Sequence, residues 1–154
     1  MQHARSRRFA SLAAAGLALA VLAPASAIAQ GAAPASGLGQ SWPNATDVSA
    51  SPHWHVYVFE RNGIRYVQIN DLSGKVRAAF ARSGGSFLAL PVGVDASRVA
   101  TPQEPLAATT QAGEIVYQDA TTKVLVSPQP DGTARVYAAD GDCKDPIECS
   151  SRGI

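Results

Sequence analysis

The chain has 154 residues, 46% hydrophobic and 16% charged, and its 13 Lys and Arg against 12 Asp and Glu give a formal net charge of +1 at pH 7. That length suits one domain better than two. The cations are scattered along the chain, which excludes the dense basic stripe that nucleic-acid binding requires.

The chain opens with MQHARSRRFASLAAAGLALAVLAPASAIAQ. Arg5, Arg7 and Arg8 stand in a stretch without acids, an apolar run covers 12–22, and small residues follow at Ala25, Ala27 and Ala29. The apolar run is too short for a bilayer, which takes about 20 apolar residues. These parts in this order predict a secretory signal peptide over 1–29, cut after Ala29, and no membrane span in the mature chain. Phe9 follows Arg7-Arg8 one position earlier than in twin-arginine leaders, so general export is expected. No cysteine lies near the cut, which excludes a lipoprotein anchor. The leader looks bacterial, and the expected location is the periplasm or the outside of the cell. Without the leader's three arginines, 10 bases face 12 acids, a net of −2.

Residues 30–52 are rich in Gly, Ala, Ser and Pro and show neither period 2 nor period 3.6. They predict a flexible lead-in. Asn44-Ala45-Thr46 matches a glycosylation triplet, but no glycan is expected behind a bacterial leader.

From residue 53 the pattern changes. The runs WHVYVFE, IRYVQIN, KVRAAFA, SFLALPV, EIVYQD, KVLVS and TARVYAA are separated by turn residues such as RNG, DLSG, RSGG and PQPDG. Short β-branched and aromatic runs bounded by Gly, Asn, Asp and Pro predict an all-β domain over 53–142: a small antiparallel meander of six to seven strands, closed as a sandwich or a barrel. Pro102, Pro105 and several threonines argue against a long helix in 95–113, which is expected to be a connection with at most one short helical turn. An ungapped alignment of Val58 onward with Val116 onward sets Gly74 on Gly132 and Arg77 on Arg135, which suggests two similar three-stranded units.

Asn62-Gly63 is a strong two-residue hairpin signal. It predicts the pairs Glu60–Arg65, Phe59–Tyr66, Val58–Val67, Tyr57–Gln68, Val56–Ile69 and His55–Asn70. Trp54, Val56, Val58, Val67 and Ile69 then share the core face. The other face carries His55, Tyr57, Phe59 and Tyr66, the candidate binding residues. Those rings are either packed by a second layer or exposed as a recognition surface.

His53 and His55 are spaced to share one strand face, but two histidines fall short of a zinc site and no metal is expected. Cys143 and Cys149 in an exported chain predict a disulfide that clips a C-terminal tail, 143–154. No nucleophile elbow and no phosphate-binding glycine loop is present, so no catalytic residue and no cofactor are assigned. Glu60, Asp71, Glu114 and Asp119 are the acids available for a carboxylate pair. The expected function is a non-enzymatic binding or accessory module of the cell envelope, with an envelope protein or glycan as partner. The alternative is a small envelope polysaccharide hydrolase.

Overall fold

Residues 34–152 are described by the structure, a computed structural model. The expected signal peptide lies outside the described residues. Strands β1 (Trp54–Arg61), β2 (Ile64–Asp71), β3 (Val76–Ser83) and β4 (Ser86–Ala89) form one antiparallel sheet in chain order. The second sheet contains β5 (Val99–Ala100), β6 (Glu114–Gln118), β7 (Thr122–Pro128) and β8 (Ala134–Asp140), in the order β5-β8-β7-β6. Helix α1 (Pro146–Ser151) follows β8.

Among the described residues the fold is all-β as expected, but eight strands in two sheets replace the six to seven anticipated. The additional strand is β5, which pairs with β8 in parallel inside the long connection, beside a single 3-10 turn at Ala96–Arg98. Two residues carry no alternation, so nothing in the sequence marks them as a strand.

The first hairpin adopts the predicted register from Trp54–Asp71 to Arg61–Ile64. Asn62 and Gly63 take φ of 53° and 77°, the left-handed pair that this turn needs. Trp54, Val56, Val67, Ile69, Ala78, Phe80 and Phe87 from the first sheet therefore meet Val116, Val124, Val126, Ala134, Val136 and Ala138 from the second in one core.

Each seam between the sheets is closed by irregular chain. On one side, the Val48 N–H donates to Val56 O on β1 and the Ala50 N–H to Val116 O on β6. On the other, β4 is an edge strand whose outward N–H groups at Phe87 and Ala89 donate to Gln103 Oε1 and Glu104 Oε2. Two side chains thus stand where a further strand's carbonyls would be, which removes an open edge.

The two three-stranded units match in spacing. Under the alignment of Val58 with Val116, β2 falls on β7 and β3 on β8. Gly74 and Gly132 both take φ near 80°, donating to Asp71 O and Gln129 O in equivalent turns. Their inward faces match on β3 and β8, where Ala78 and Phe80 align with Val136 and Ala138, but not on β2 and β7. Val67 and Ile69 face the core on β2, but on β7 it is Val124 and Val126, not Leu125 and Ser127, the residues aligned with them. A one-residue slip exchanges the faces of a strand, so the units share turn geometry and the inward pattern of the last strand but not that of the middle one.

Candidate functional site

The outer face of the first sheet is covered on its β1–β2 side by residues 34–50. This segment, expected to be a flexible lead-in, is a strap. Gln68 and Asn70 point outward from β2, yet both are fully buried. The Gly39 N–H donates to Gln68 Oε1 at 2.6 Å, and Gln68 Nε2 donates to Gln40 O and Asn70 Oδ1. Asn70 Nδ2 donates to Ser41 O and Gly74 O. Two amide side chains thus satisfy strap backbone groups that would otherwise lack partners. Composition alone does not reveal this, because the partners are on a strand.

The four candidate binding residues separate under the strap. Tyr57 and Phe59 are each 5% exposed, Tyr57 beneath an isolated bridge with Asp47. His55 and Tyr66 are half-buried. Tyr66 lies between two clefts. One, of about 460 Å³, runs between the strap at Pro34–Leu38 and Phe59, Glu60 and Arg61. The other, of about 280 Å³, is lined by Ile64, Ala81, Leu88 and Leu90 on the uncovered β2–β4 side.

The histidines do not converge. His53 precedes β1 and places Nδ1 3.2 Å from Glu114, whereas His55 Nδ1 lies 2.7 Å from Asp47 Oδ2. The Ser51 hydroxyl and the Trp54 indole N–H also donate to Glu114. Burial raises the Glu114 pKa, but these three donors bring it below the ordinary value. Asp47 also accepts from the Val56 and Ser49 N–H groups, and these bonds with His55 outweigh its burial and lower its pKa.

One end of the molecule holds a charged cleft of about 500 Å³ lined by Glu60, Arg65, Arg82, Gly84, Gly85 and Thr121. Arg65 and Arg82 are direct cross-strand partners. Arg65 donates to Glu60 and, across to the second sheet, to Asp119 at 2.5 Å, while Arg82 donates to Asp140 and lies over the Phe87 ring. Burial of Asp119 favours its neutral form. The Tyr117 hydroxyl, both polar groups of Thr121 and the Thr122 N–H outweigh it and hold the pKa down to about 2. Burial and the same carboxylate push Tyr117 up to about 12. Three carboxylates surround the two arginines, so the cleft offers little net attraction to an anion. A neighbouring cleft of about 450 Å³ is lined by Gln103, Asp140, Asp142 and the disulfide. Cys143 and Cys149 are bonded as expected, and α1, which carries Cys149, is capped by Asp145, whose side chain accepts the Ile147 N–H.

No protein-family model, curated protein or solved structure matches the chain. The side chain that sequence reasoning passes over is Trp42. It lies in the strap, is 60% exposed, and meets the His55 ring edge-on at 5.4 Å. It is the only aromatic residue in the Gly- and Ser-rich stretch 30–52, a signal that composition did carry.

Proposed function

We propose that the chain is an exported, non-enzymatic binding module of the bacterial cell envelope, and that it contacts an envelope protein or glycan through the face around Tyr66. One observation carries this reading. The strap buries Tyr57 and Phe59 yet leaves Tyr66 open between two clefts. An aromatic ring flanked by concave apolar surface is the usual anchor of an interface.

The alternative, a small polysaccharide hydrolase, needs a carboxylic acid held protonated near neutrality. All four acids available to it are engaged in fold contacts. Glu60 and Asp119 accept from Arg65, Asp71 closes its own turn, and Glu114 takes three donors. Every carboxylate with a displaced pKa is displaced downward. Export is supported by the leader and by a disulfide of the kind favoured in oxidising compartments. Among the described residues no helix is long and apolar enough to cross a membrane.

Affinity capture from envelope extract tests the reading, with wild type and Tyr66→Ala as baits. Wild type should retain a component that Tyr66→Ala loses. Identical capture by both baits, or release of reducing sugar from envelope polysaccharide, would overturn it. N-terminal sequencing of exported material should begin at Gln30 or within a few residues of it.

A further inference from the structure

Trp42 is a large aromatic side chain held in place at the surface. Its segment is pinned from below, since Gln40 O and Ser41 O accept from the buried amides of Gln68 and Asn70. The indole lies against the Gly74 backbone so closely that a Cβ there would stand 2.6 Å from ring carbons Cε2 and Cζ2. The His55 ring meets it edge-on and is itself stacked on Tyr57. The ring's position is therefore set before any ligand arrives, while 60% of the residue stays in water. Burial does not account for such a residue, because the fold gains little from a ring left mostly hydrated.

His55 and Asp47 stand beside the ring. His55 engages Asp47 through Nδ1, and its Nε2 has no protein partner among the described residues. Asp47 is partly exposed and presents a carboxylate beside that ring. A stacking surface thus stands next to one nitrogen that donates or accepts and one oxygen that accepts.

We propose that Trp42, His55 and Asp47 form a binding site for a neutral sugar ring, with the indole as stacking platform and the His55–Asp47 pair as hydrogen-bonding edge. The C–H groups on one side of a pyranose are weakly positive and suit the negative face of an aromatic ring. The hydroxyls at its rim need donors and acceptors at the platform's edge, where His55 and Asp47 stand. A peptide anchor fits worse, because apolar side chains bind in concave pockets that exclude water, and Trp42 lines none of the four clefts described above. An anionic ligand would meet the Asp47 carboxylate unfavourably. The site is separate from the Tyr66 face and does not depend on it.

The chain's two tryptophans make the test direct. Trp54 is 8% exposed and its indole N–H is bonded to Glu114, so the two indole resonances report separately. Cellotetraose and tetra-N-acetylchitotetraose are titrated into the purified protein while both indole N–H signals are followed by NMR. At least one sugar should move the Trp42 signal at low millimolar concentration, the range of a weak single-ring contact of about 4 kcal/mol at 1 mM, and leave Trp54 unmoved. Followed through backbone amide signals, Trp42→Ala should weaken binding at least about tenfold, Trp42→Phe should retain part of it, and His55→Gln should weaken it with the Trp42 ring still in place. Tyr66→Ala should leave it unchanged, which separates this site from the proposed interface. A Trp42 signal unmoved by both sugars, or moved instead by an apolar peptide such as Ac-Leu-Pro-Leu-NH2, would overturn the proposal.

Discussion

Gln68 is a fully buried amide on an exterior face, and its partners are backbone groups nearly thirty residues earlier in the chain. Gln68→Leu keeps the volume but leaves the Gly39 N–H and a Gln40 carbonyl short of a partner. We expect a loss of about 1–3 kcal/mol in urea unfolding, together with earlier protease cleavage within 34–50. Asp119 behaves differently because its contribution depends on pH. Its folded pKa of about 2 lies below the ordinary 3.8, so it stabilises the fold above about pH 4 and loses that contribution as pH falls through 2. Asp119→Asn should flatten the fall in stability between pH 4 and pH 2 by no more than about 2 kcal/mol, as read from chemical unfolding at each pH. A mutant with the wild-type acid slope would mean that other carboxylates set it.

At the scale of the element, the first hairpin separates packing from surface. Phe59→Ala should cost about 3–5 kcal/mol, because it opens a cavity under the strap, whereas Tyr66→Ala should cost no more than about 1 kcal/mol. Paired melting curves decide this, and equal losses would mean that Tyr66 is as much a core residue as Phe59. The hairpin was legible because Asn62-Gly63 sets the pairing and alternation then assigns every side chain to a face. The covering of that face was not legible. It depends on Gln68 and Asn70 meeting the backbone of a segment whose composition resembles a linker. Helix α1 escaped for another reason. Six residues are too few to show a period, and only Asp145-Pro146, a cap followed by proline at the first helical position, announces it. Gly93 carries a similar hidden constraint. At φ 97° a Cβ would stand 2.5 Å from the Arg77 carbonyl, so Gly93→Ala should destabilise far more than Gly63→Ala, where the space is open. Relative midpoints in urea check the order.

For the whole molecule, the disulfide and the arginine contacts hold different parts together. Cys143–Cys149 closes a short local loop that follows β8, and α1 returns to β8 through Ser150 Oγ, which donates to Ala138 O. Cys143→Ser should therefore leave the two sheets folded, with a loss of at most about 2–3 kcal/mol. Retained β-type circular dichroism after reduction checks it, and global unfolding would mean that the bond holds the core. Arg77 reaches across more of the fold. It donates to the buried Asp95 in the long connection and to Gly132 O in the turn of the second sheet. The class of fold could be read from turn spacing. The way the sheets close on one another could not, because residues 47–50 and 101–104 have no strand signature and act through single hydrogen bonds.

The two seams differ in what they demand of a mutation. The side along β1 and β6 is joined through Glu114 and also through main-chain bonds from Val48 and Ala50 that every amino acid but proline supplies, so no single side-chain replacement opens it completely. The side along β4 relies on the particular carbonyl and carboxylate of Gln103 and Glu104. Replacing both with alanine would free the Phe87 and Ala89 N–H groups while the strand itself stayed in place. The exposed Leu88 lies between them. A mixture of folded molecules with that margin uncovered has a template for head-to-side growth, and concentration alone would then decide between dispersed protein and fibres. Light scattering of the double variant against wild type over a concentration series would reveal the difference, and a variant as dispersed as wild type would show that the margin is protected by something other than these two side chains.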